Sequence, residues 1–185
     1  MVATTFPRRG PLVLPRSDDL AVRGLSLRDA GEADAAFLQS LYASFRANEM
    51  AFLPWPQAQK DAFLADQFRL QHLHFASHFS GADFWIVERS DRSGATSAVG
   101  RFYLDRSTPL WRVIDIGLAP DARGQGLGSA LLTWAQVCAR DAGAAGIDLH
   151  VTIVNARARS LYQRLGFRAE GVAEGYHQRM AWRPD

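Results

Sequence analysis

The sequence predicts a mixed α/β fold built around a mixed sheet, on two observations. Apolar residues recur at helical spacing in some segments and alternate in others, in the order strand, two helices, three strands, helix, strand, helix and one or two last strands. Short turns join the three strands that follow the two helices, which favours antiparallel neighbours over a doubly wound parallel sheet. With 185 residues, 48% of them hydrophobic, the chain suits one domain with a sizeable core.

The N-terminal segment is interpreted as a flexible arm. Residues 1–18 contain three prolines and a glycine, which interrupt regular structure, so a strand is expected there only for residues 12–14. Residues 19–185 then form the single domain. Weak alternation of apolar and polar residues predicts its first strand over residues 21–27.

Two helices are predicted next. A helical pattern starts at Asp29 and is interrupted by the Pro-Trp-Pro sequence at residues 54–56. A second, longer helix is predicted over residues 57–79. The first apolar stripe consists of Ala33, Phe37, Leu41 and Phe45, and the second stripe consists of Leu64, Phe68, Gln71, Phe75 and Phe79.

The rest of the chain alternates strands and helices. Turn-rich residues 90–97 join two strands into a predicted hairpin, and residues 168–182 have room for a last antiparallel pair. The predicted strands are 83–89, 98–105, 111–118 and 147–154, and the predicted helices are 129–142 and 155–165. The first of these helices places Leu127, Leu131, Trp134 and Cys138 on one face.

The loop that follows the strand at residues 111–118 carries the most information about chemistry. Its sequence, Arg123-Gly-Gln-Gly-Leu-Gly-Ser129, connects a strand to a helix. Glycines at alternate positions leave the backbone bare, so that successive N–H groups can turn toward one anion beside the positive end of the helix. The loop therefore suits a pyrophosphate, and Arg123 either adds charge or locks the loop.

Two familiar types of glycine-rich phosphate loop fit the sequence less well. A P-loop needs Lys before the Ser or Thr that follows its last glycine, whereas Gly128 is followed directly by Ser129. A dinucleotide-binding oxidoreductase is disfavoured because the spacing is G-x-G-x-G and the loop lies two-thirds along the chain. Taken alone, the glycines also fit a plain turn between a strand and a helix.

The loop resembles a known family. Arg123-x-x-Gly126-x-Gly128 is similar to the Gln/Arg-x-x-Gly-x-Gly/Ala signature of the Gcn5-related N-acetyltransferases, the GNAT superfamily. Residues 155–167, with Asn155, Ala158, Leu161-Tyr162 and Gly166-Phe167, resemble that family's Asn-x-x-Ala-x-x-Leu-Tyr…Gly-Phe segment. The resemblance implies a mostly antiparallel central sheet of six to seven strands, with helices on both faces and a splayed parallel strand pair.

The resemblance also implies acetyl-CoA as the acyl donor. The pantetheine arm would lie between Leu118-Ala119 and the end of the strand at 147–154. The N–H of Leu118 would stabilise the oxyanion formed during transfer. Asn155 would contact the pantetheine arm or cap the last helix; the second role alone explains an Asn there. The pyrophosphate would lie on the backbone amides of Arg123, Gly124, Gln125, Gly126, Leu127, Gly128 and Ser129.

Tyr162 matches the position from which many members of the family protonate the departing CoA thiolate. A phenol with a pKa near 10 stays protonated at neutral pH and can donate to a thiolate whose thiol has a pKa of about 8.5. The alternative is a core aromatic residue on the apolar face of the helix at 155–165. Cys138 lies mid-helix on an apolar face, which disfavours a role as nucleophile.

The attacking amine must lose a proton, and the sequence offers several acceptors. Asp115 lies inside the apolar strand Val-Ile-Asp-Ile, which is unusual unless it faces a cleft or pairs with Arg101 or Arg112. Glu88 and His150 are weaker candidates.

The second long helix is expected to wall the acceptor site, because the resemblance implies it. Gln67, Gln71, His74 and His78 form one stripe, which is either a solvated face or the polar edge of a pocket. His74 and His78 have the spacing of metal ligands, but no third ligand is apparent, so no metal is expected. Trp55 and Trp85 either line the pocket or belong to the core.

Composition limits the partners. A net charge of +2 without a dense basic stripe gives no reason to expect nucleic acid, and no apolar run is long enough for a membrane span. The single cysteine excludes an internal disulfide and fits a cytoplasmic location. We expect an N-acetyltransferase acting on a small-molecule or peptide amine in a ternary complex, and a homodimer is an open possibility. The alternative is a catalytically silent acyl-CoA-binding domain, although Tyr162 favours the enzyme.

Overall fold

The computed structural model describes Phe6 and residues 18–184 of the chain. Within these residues, seven strands form one sheet in the order β1-β2-β3-β4-β5-β7-β6. Only β4 and β5 are parallel neighbours in this described sheet, so the expected fold class is confirmed. The strands are β1 (Leu25–Asp29), β2 (Asp83–Ser90), β3 (Thr96–Asp105), β4 (Leu110–Leu118), β5 (Gly146–Thr152), β6 (Arg168–Ala169) and β7 (His177–Trp182). The helices are α1 (Asp18–Val22), α2 (Ala35–Ala51), α3 (Gln57–His78), α4 (Leu127–Asp141) and α5 (Ala156–Arg164).

The helices divide between the two faces of the sheet. Successive strand residues point to opposite faces, so Trp111 and Val113 of β4 pack against α4, while Ile86 of β2 packs against α2 and α3. We call these the α4–α5 face and the α2–α3 face. All four residues predicted for the buried side of α4 are buried: Leu127, Leu131, Trp134 and Cys138.

The first predicted strand begins too early. Residues 18–22 form the short helix α1, and backbone hydrogen bonds from Arg23 N to Leu20 O and from Gly24 N to Ala21 O close its last turn. Gly24 then adopts a positive φ of 65°, which redirects the chain before β1 starts at Leu25. The predicted strand at residues 12–14 lies outside the described residues.

The first long helix also starts later than predicted. Asp29 ends β1, and a 3-10 turn over Glu32–Asp34 precedes α2, because Asp34 accepts a hydrogen bond from the Gly31 amide and pairs with Arg28. The buried side of α2 consists of Leu38, Leu41, Tyr42 and Met50. Phe45, predicted for the buried stripe, is 37% exposed and lies above Gly117 of β4.

The other predicted elements are found within a few residues of their predicted ends. The hairpin is β2–β3, and the last antiparallel pair is β6–β7. α3 buries Leu64 and Phe68 as predicted, together with His72, which the predicted stripe omitted. None of the helices in the described part of the chain combines the length and hydropathy needed to cross a bilayer.

Candidate active site

The parallel strands β4 and β5 separate halfway along their length. Their pairing runs from Leu110 with Gly146 to Val113 with Leu149 and then stops. Beyond that point β4 continues to Leu118 paired only with β3, and β5 continues to Thr152 paired only with β7. The facing edges of both strands are therefore unpaired in the described structure, and a gap opens toward the loop that follows β4.

The backbone of Leu118 faces this gap. Ala119 N donates to Val99 O of β3, and amides alternate sides along a strand, so the Leu118 N–H and C=O point to the opposite edge. The Leu118 carbonyl confirms this direction, since it accepts a hydrogen bond from outside the β3–β4 ladder. The β3–β4 register shifts between Tyr103 and Leu104, so Ile114 is an extra, unpaired residue in a bulge of β4 near the start of the gap.

The glycine loop turns its backbone toward the same end of the sheet. Gly124 and Gly126 have φ values of 77° and 78°, in the region that glycine adopts without strain. Gly126 is the N-cap of α4, and no side chain among the described residues caps this helix. The first amides of α4 are thus available to an anion, which the partial positive charge of the helix end favours.

Arg123 locks the loop. Its Nε donates to Leu118 O at 2.8 Å and its Nη2 to Ser44 Oγ of α2 at 3.0 Å. Its guanidinium also lies 5.2 Å from the centre of the Phe45 ring. Of the two roles that the sequence allows for Arg123, these contacts support the structural one, and they tie the loop to α2.

Two other arginines flank the loop. A β-carbon at Gly124 would lie 3.4 Å from Arg157 Nη2, and one at Gly126 would lie 3.5 Å from Arg23 Nη1. Sequence reasoning missed both residues. Arg157 could have been found, because it lies two residues after Asn155 in the second motif; Arg23 could not, because nothing in its local sequence links it to a loop a hundred residues later.

Asn155 is the N-cap of α5. Its side-chain carbonyl accepts a hydrogen bond from Ala158 N at 3.1 Å, which satisfies one of the unpaired amides of the first turn. The capping role therefore holds in this structure, at the end of β5 beside the gap.

Tyr162 packs on the α4–α5 face and is buried. Its ring lies 5.9 Å from that of Phe167, and its hydroxyl makes no hydrogen bond to a described residue. Burial, with a smaller contribution from the negative charge of Asp115, raises the pKa of Tyr162 to about 12. The phenol is consequently protonated at neutral pH, as a proton donor must be.

Asp115 lies on the α2–α3 face and forms an ion pair with Arg101 of β3. The Arg101 side chain is 3% exposed and that of Asp115 is 23% exposed, so the carboxylate is the open end of the pair. Arg101 Nη2 also donates to Gln71 Oε1 at 2.9 Å. The pairing of Asp115 with Arg101, which the sequence allowed as an alternative to a free carboxylate, is thus found in the structure, and Gln71 joins it.

The other residues proposed for the acceptor pocket are not brought to this cluster. Trp55 lies between α2 and α3, with its ring 5.6 Å from that of Phe63, and Gln67 is half-buried on α3. His74 is exposed and packs against His78, with 4.1 Å between ring centroids. No cluster of three metal-ligating side chains occurs among the described residues. Trp85 is buried on the opposite, α4–α5 face.

The two weaker candidates for the proton acceptor lie in different places. Glu88 of β2 is paired with Arg28 on β1, two strands away from the gap. His150 follows the last residue of β5 that pairs with β4, so it lies where the gap opens. His150 is exposed, and its partial desolvation by neighbouring groups, reinforced by the positive charge of Arg112, lowers its pKa below the usual value and favours the neutral imidazole.

Cys138 is buried in α4, and burial raises the pKa of its thiol to about 11. The thiol is therefore protonated at neutral pH and is not activated as a nucleophile.

Several known proteins resemble this chain in sequence. The profile of the acetyltransferase (GNAT) family matches residues 38–167. The chain is 26% identical to the aminoalkylphosphonate N-acetyltransferase of Salmonella typhimurium over 85% of this chain and 94% of that protein. It is 41% identical to the mycothiol acetyltransferase of a Parafrankia strain over 38% of this chain, and this matched part spans only 22% of that relative's length.

Solved structures share the fold. The PaiA N-acetyltransferase of Thermoplasma acidophilum, solved in complex with coenzyme A, superposes with a TM-score of 0.63 over 86% of this chain and 99% of that one, at 15% identity. Because the family profile covers more than half of the sequence, this chain belongs to the acetyltransferase (GNAT) family.

Proposed function

We propose that the protein transfers an acetyl group from acetyl-CoA to a primary amine by direct attack in a ternary complex. The observation that carries the proposal is the gap between β4 and β5, which ends at an uncapped helix behind a glycine loop. An unpaired strand edge suits the amides of a pantetheine arm, and the loop suits a pyrophosphate. The match to the GNAT family supports the same use of both features.

The residues around the gap fit such a donor. Leu118 and Ala119 end the open edge of β4, and the amides of residues 123–129 surround the helix end. Arg23 and Arg157 add positive charge beside Gly126 and Gly124. In this proposal the Leu118 N–H donates to the carbonyl oxygen of the thioester, where negative charge develops as the amine attacks.

Tyr162 is proposed as the general acid. As the new C–N bond forms and the C–S bond breaks, its hydroxyl gives a proton to the leaving sulfur. The support is its match to the family motif, its position on α5 beside the end of β5, and its hydroxyl, which makes no hydrogen bond to another described residue. A protonated phenol in a buried setting suits this role.

Two groups on the α2–α3 face are proposed as acceptors of the amine proton. Asp115 presents the exposed end of its ion pair with Arg101, and His150 lies where the strands separate. The two are distinguished by the acid limb of the pH profile of kcat/KM. Removing the true acceptor, by Asp115→Asn or His150→Gln, abolishes that limb, while the other substitution leaves it in place.

The acceptor is proposed to be a small-molecule or peptide amine. The relative matched over most of both chains is named for aminoalkylphosphonates, whose amines are small. We propose that Gln71, next to the Arg101–Asp115 pair, borders the acceptor pocket. A role for Gln67, Trp55 and His74 in that pocket stays a prediction from the sequence.

The proposal is tested by the release of free CoA thiol from acetyl-CoA in the presence of a panel of primary amines, with the acetylated product identified by mass. The buried Cys138 contributes little background to a thiol reagent. We expect amine-dependent release with at least one class of amine. Binding of CoA without release for any amine would instead support the silent acyl-CoA-binding domain.

A further inference from the structure

Two arginines share one buried carboxylate beside the gap. Arg112 of β4 donates from Nε and Nη2 to Asp148 of β5 at 2.9 and 2.8 Å. Arg179 of β7 donates from Nε to Asp148 Oδ2 at 2.8 Å. Because both guanidinium groups contact the same oxygen, they lie side by side. Asp148 itself is only 1% exposed.

The arrangement faces the acceptor side of the sheet. Arg112 lies between two β4 residues that pack against α4, so it points to the other face, where the bulge also places Asp115. Arg179 lies directly across from His150 in the β5–β7 register. The side chains of Arg112 and Arg179 are 40% and 37% exposed, so part of each reaches solvent. Both arginines are thus open to a ligand that reaches the gap from the α2–α3 face.

Both guanidinium groups have N–H donors that the buried carboxylate does not use. Each guanidinium has five N–H groups. Nη1 of Arg112 and Nη2 of Arg179 make no hydrogen bond to a described residue, whereas Nη1 of Arg179 pairs with Glu170 at 3.2 Å. Asp148 neutralises only one of the two charges, and Arg183 lies 3.1 Å from the other oxygen of Glu170. Asp105, directly opposite Arg112 in the β3–β4 register, adds a further negative charge. The group therefore offers an anion its unpaired N–H donors rather than an excess of positive charge.

We propose that Arg112 and Arg179 form a subsite for an anionic group of the acceptor, so that the substrate class is an amine that also carries a carboxylate, phosphate or phosphonate. Asp148 is then a positioning residue, since it fixes both guanidinium groups with their remaining donors directed outward. Paired guanidinium groups bind oxyanions through short, charge-assisted hydrogen bonds. The inference rests on the proposed function, because it assigns the second recognition element of the same site.

The position of the subsite sets the size of the acceptor. Asp148 and His150 are two residues apart on one face of β5, a separation of about 7 Å at the rise of an extended strand. An amine that reacts where the strands separate would therefore place its anionic group on the arginines through a short carbon chain.

The experiment compares three acceptors of similar length: 3-aminopropylphosphonate, 4-aminobutyrate and the neutral 4-amino-1-butanol. We expect kcat/KM for the two anionic amines to exceed that for the neutral one by about tenfold or more, the effect of one or two charge-assisted hydrogen bonds. Arg112→Gln and Arg179→Gln should remove this preference by raising KM for the anionic amines much more than KM for the neutral amine. Comparing kcat/KM for the phosphonate with kcat/KM for the carboxylate shows which oxyanion the subsite prefers. Equal values for all three amines in the parent protein would overturn the proposal and leave the proposed transferase activity intact.

Matched variants separate recognition from stability. Arg112→Lys and Arg179→Lys keep a charge for Asp148 but lose the planar fork, so they should fold and still lose most of the preference. Arg69→Gln removes one charge from an exposed ion pair on α3 and should leave the preference for anionic amines unchanged. An undiminished preference in both Lys variants would overturn the subsite.

A binding readout keeps the two proposals apart. The 31P line width of methylphosphonate, measured with saturating CoA to occupy the glycine loop, should broaden with the parent and not with Arg179→Lys. If no amine is acetylated yet this broadening depends on Arg112 and Arg179, the proposed function fails and the subsite stands. Broadening that is equal in the parent and both Lys variants would overturn the subsite.

Discussion

The two faces of the sheet place their functional groups in different ways. On the α4–α5 face the proposed donor site consists of backbone groups: the edge of β4, the amides behind Gly126 and the start of α5, all supported by an apolar core. On the α2–α3 face the proposed acceptor site consists of charged side chains: the Arg101–Asp115 pair and the two arginines on Asp148. The proposed donor site therefore depends on the conformation of one contiguous loop, whereas the proposed acceptor site depends on charged side chains that four separate strands bring together.

The largest effect should come from breaking the Arg101–Asp115 ion pair on the α2–α3 face. Arg101→Met leaves Asp115 without its partner and Gln71 without its donor, and we expect a loss of about 3 kcal/mol in the free energy of unfolding, typical of a broken buried pair. Urea unfolding measures it. Arg69→Met is the matched control, since its pair with Asp66 is half-exposed on both sides and should cost under about 0.5 kcal/mol. Equal losses of unfolding free energy in the two variants would show that the Arg101–Asp115 pair stabilises the protein no more than an exposed ion pair does.

Tyr162→Phe tests the proposed general acid by removing a single oxygen atom. The variant keeps the ring against Phe167 and removes a hydroxyl without a described hydrogen-bond partner, so stability should change little. Removing a general acid should lower kcat by about 100-fold, while CoA binding is kept. Steady-state kinetics and CoA titration measure both, with the exposed Tyr176→Phe as the control. A Tyr162→Phe enzyme as active as the parent at every pH would remove Tyr162 from the mechanism.

A pair of alanine variants tests whether the loop conformation matters for the donor. Gly126 has φ 78°, where alanine is strained by about 1–2 kcal/mol, so Gly126→Ala should weaken CoA binding by about tenfold and lower stability. Gly128 has no positive φ, and a β-carbon there would lie 3.7 Å from Leu161, so Gly128→Ala should be tolerated. Calorimetric titration with CoA measures the affinities. Similar affinities for the two variants would argue against the loop as the anion site.

The smallest effect concerns the arginines beside the loop. Arg157→Gln removes a charge near Gly124, and we expect about a threefold weaker affinity for CoA at low salt, with the difference shrinking as ionic strength rises. Arg164→Gln, an exposed arginine at the other end of α5, is the control. An affinity of Arg157→Gln equal to that of the control would place Arg157 outside the donor site.

The same contrast explains what the sequence could predict. The loop at residues 123–129 and the cap Asn155 depend on contiguous residues, so their structure followed from spacing and capping preferences. The Arg112–Asp148–Arg179 group joins three strands whose register is fixed only by the whole sheet. No local sequence pattern could therefore predict it. The predicted start of β1 was wrong for a related reason, since a few alternating residues cannot distinguish a short helix from a strand.

Thermal unfolding with saturating acetyl-CoA, CoA or NAD tests the central claim most directly, because a ligand that binds only the native state stabilises it by about 4 kcal/mol at a thousand times its dissociation constant. The gap between β4 and β5 and the loop behind it predict a clear rise in Tm with acetyl-CoA and with CoA, and none with NAD. No rise with acetyl-CoA, or an equal rise with NAD, would contradict the assignment of this site.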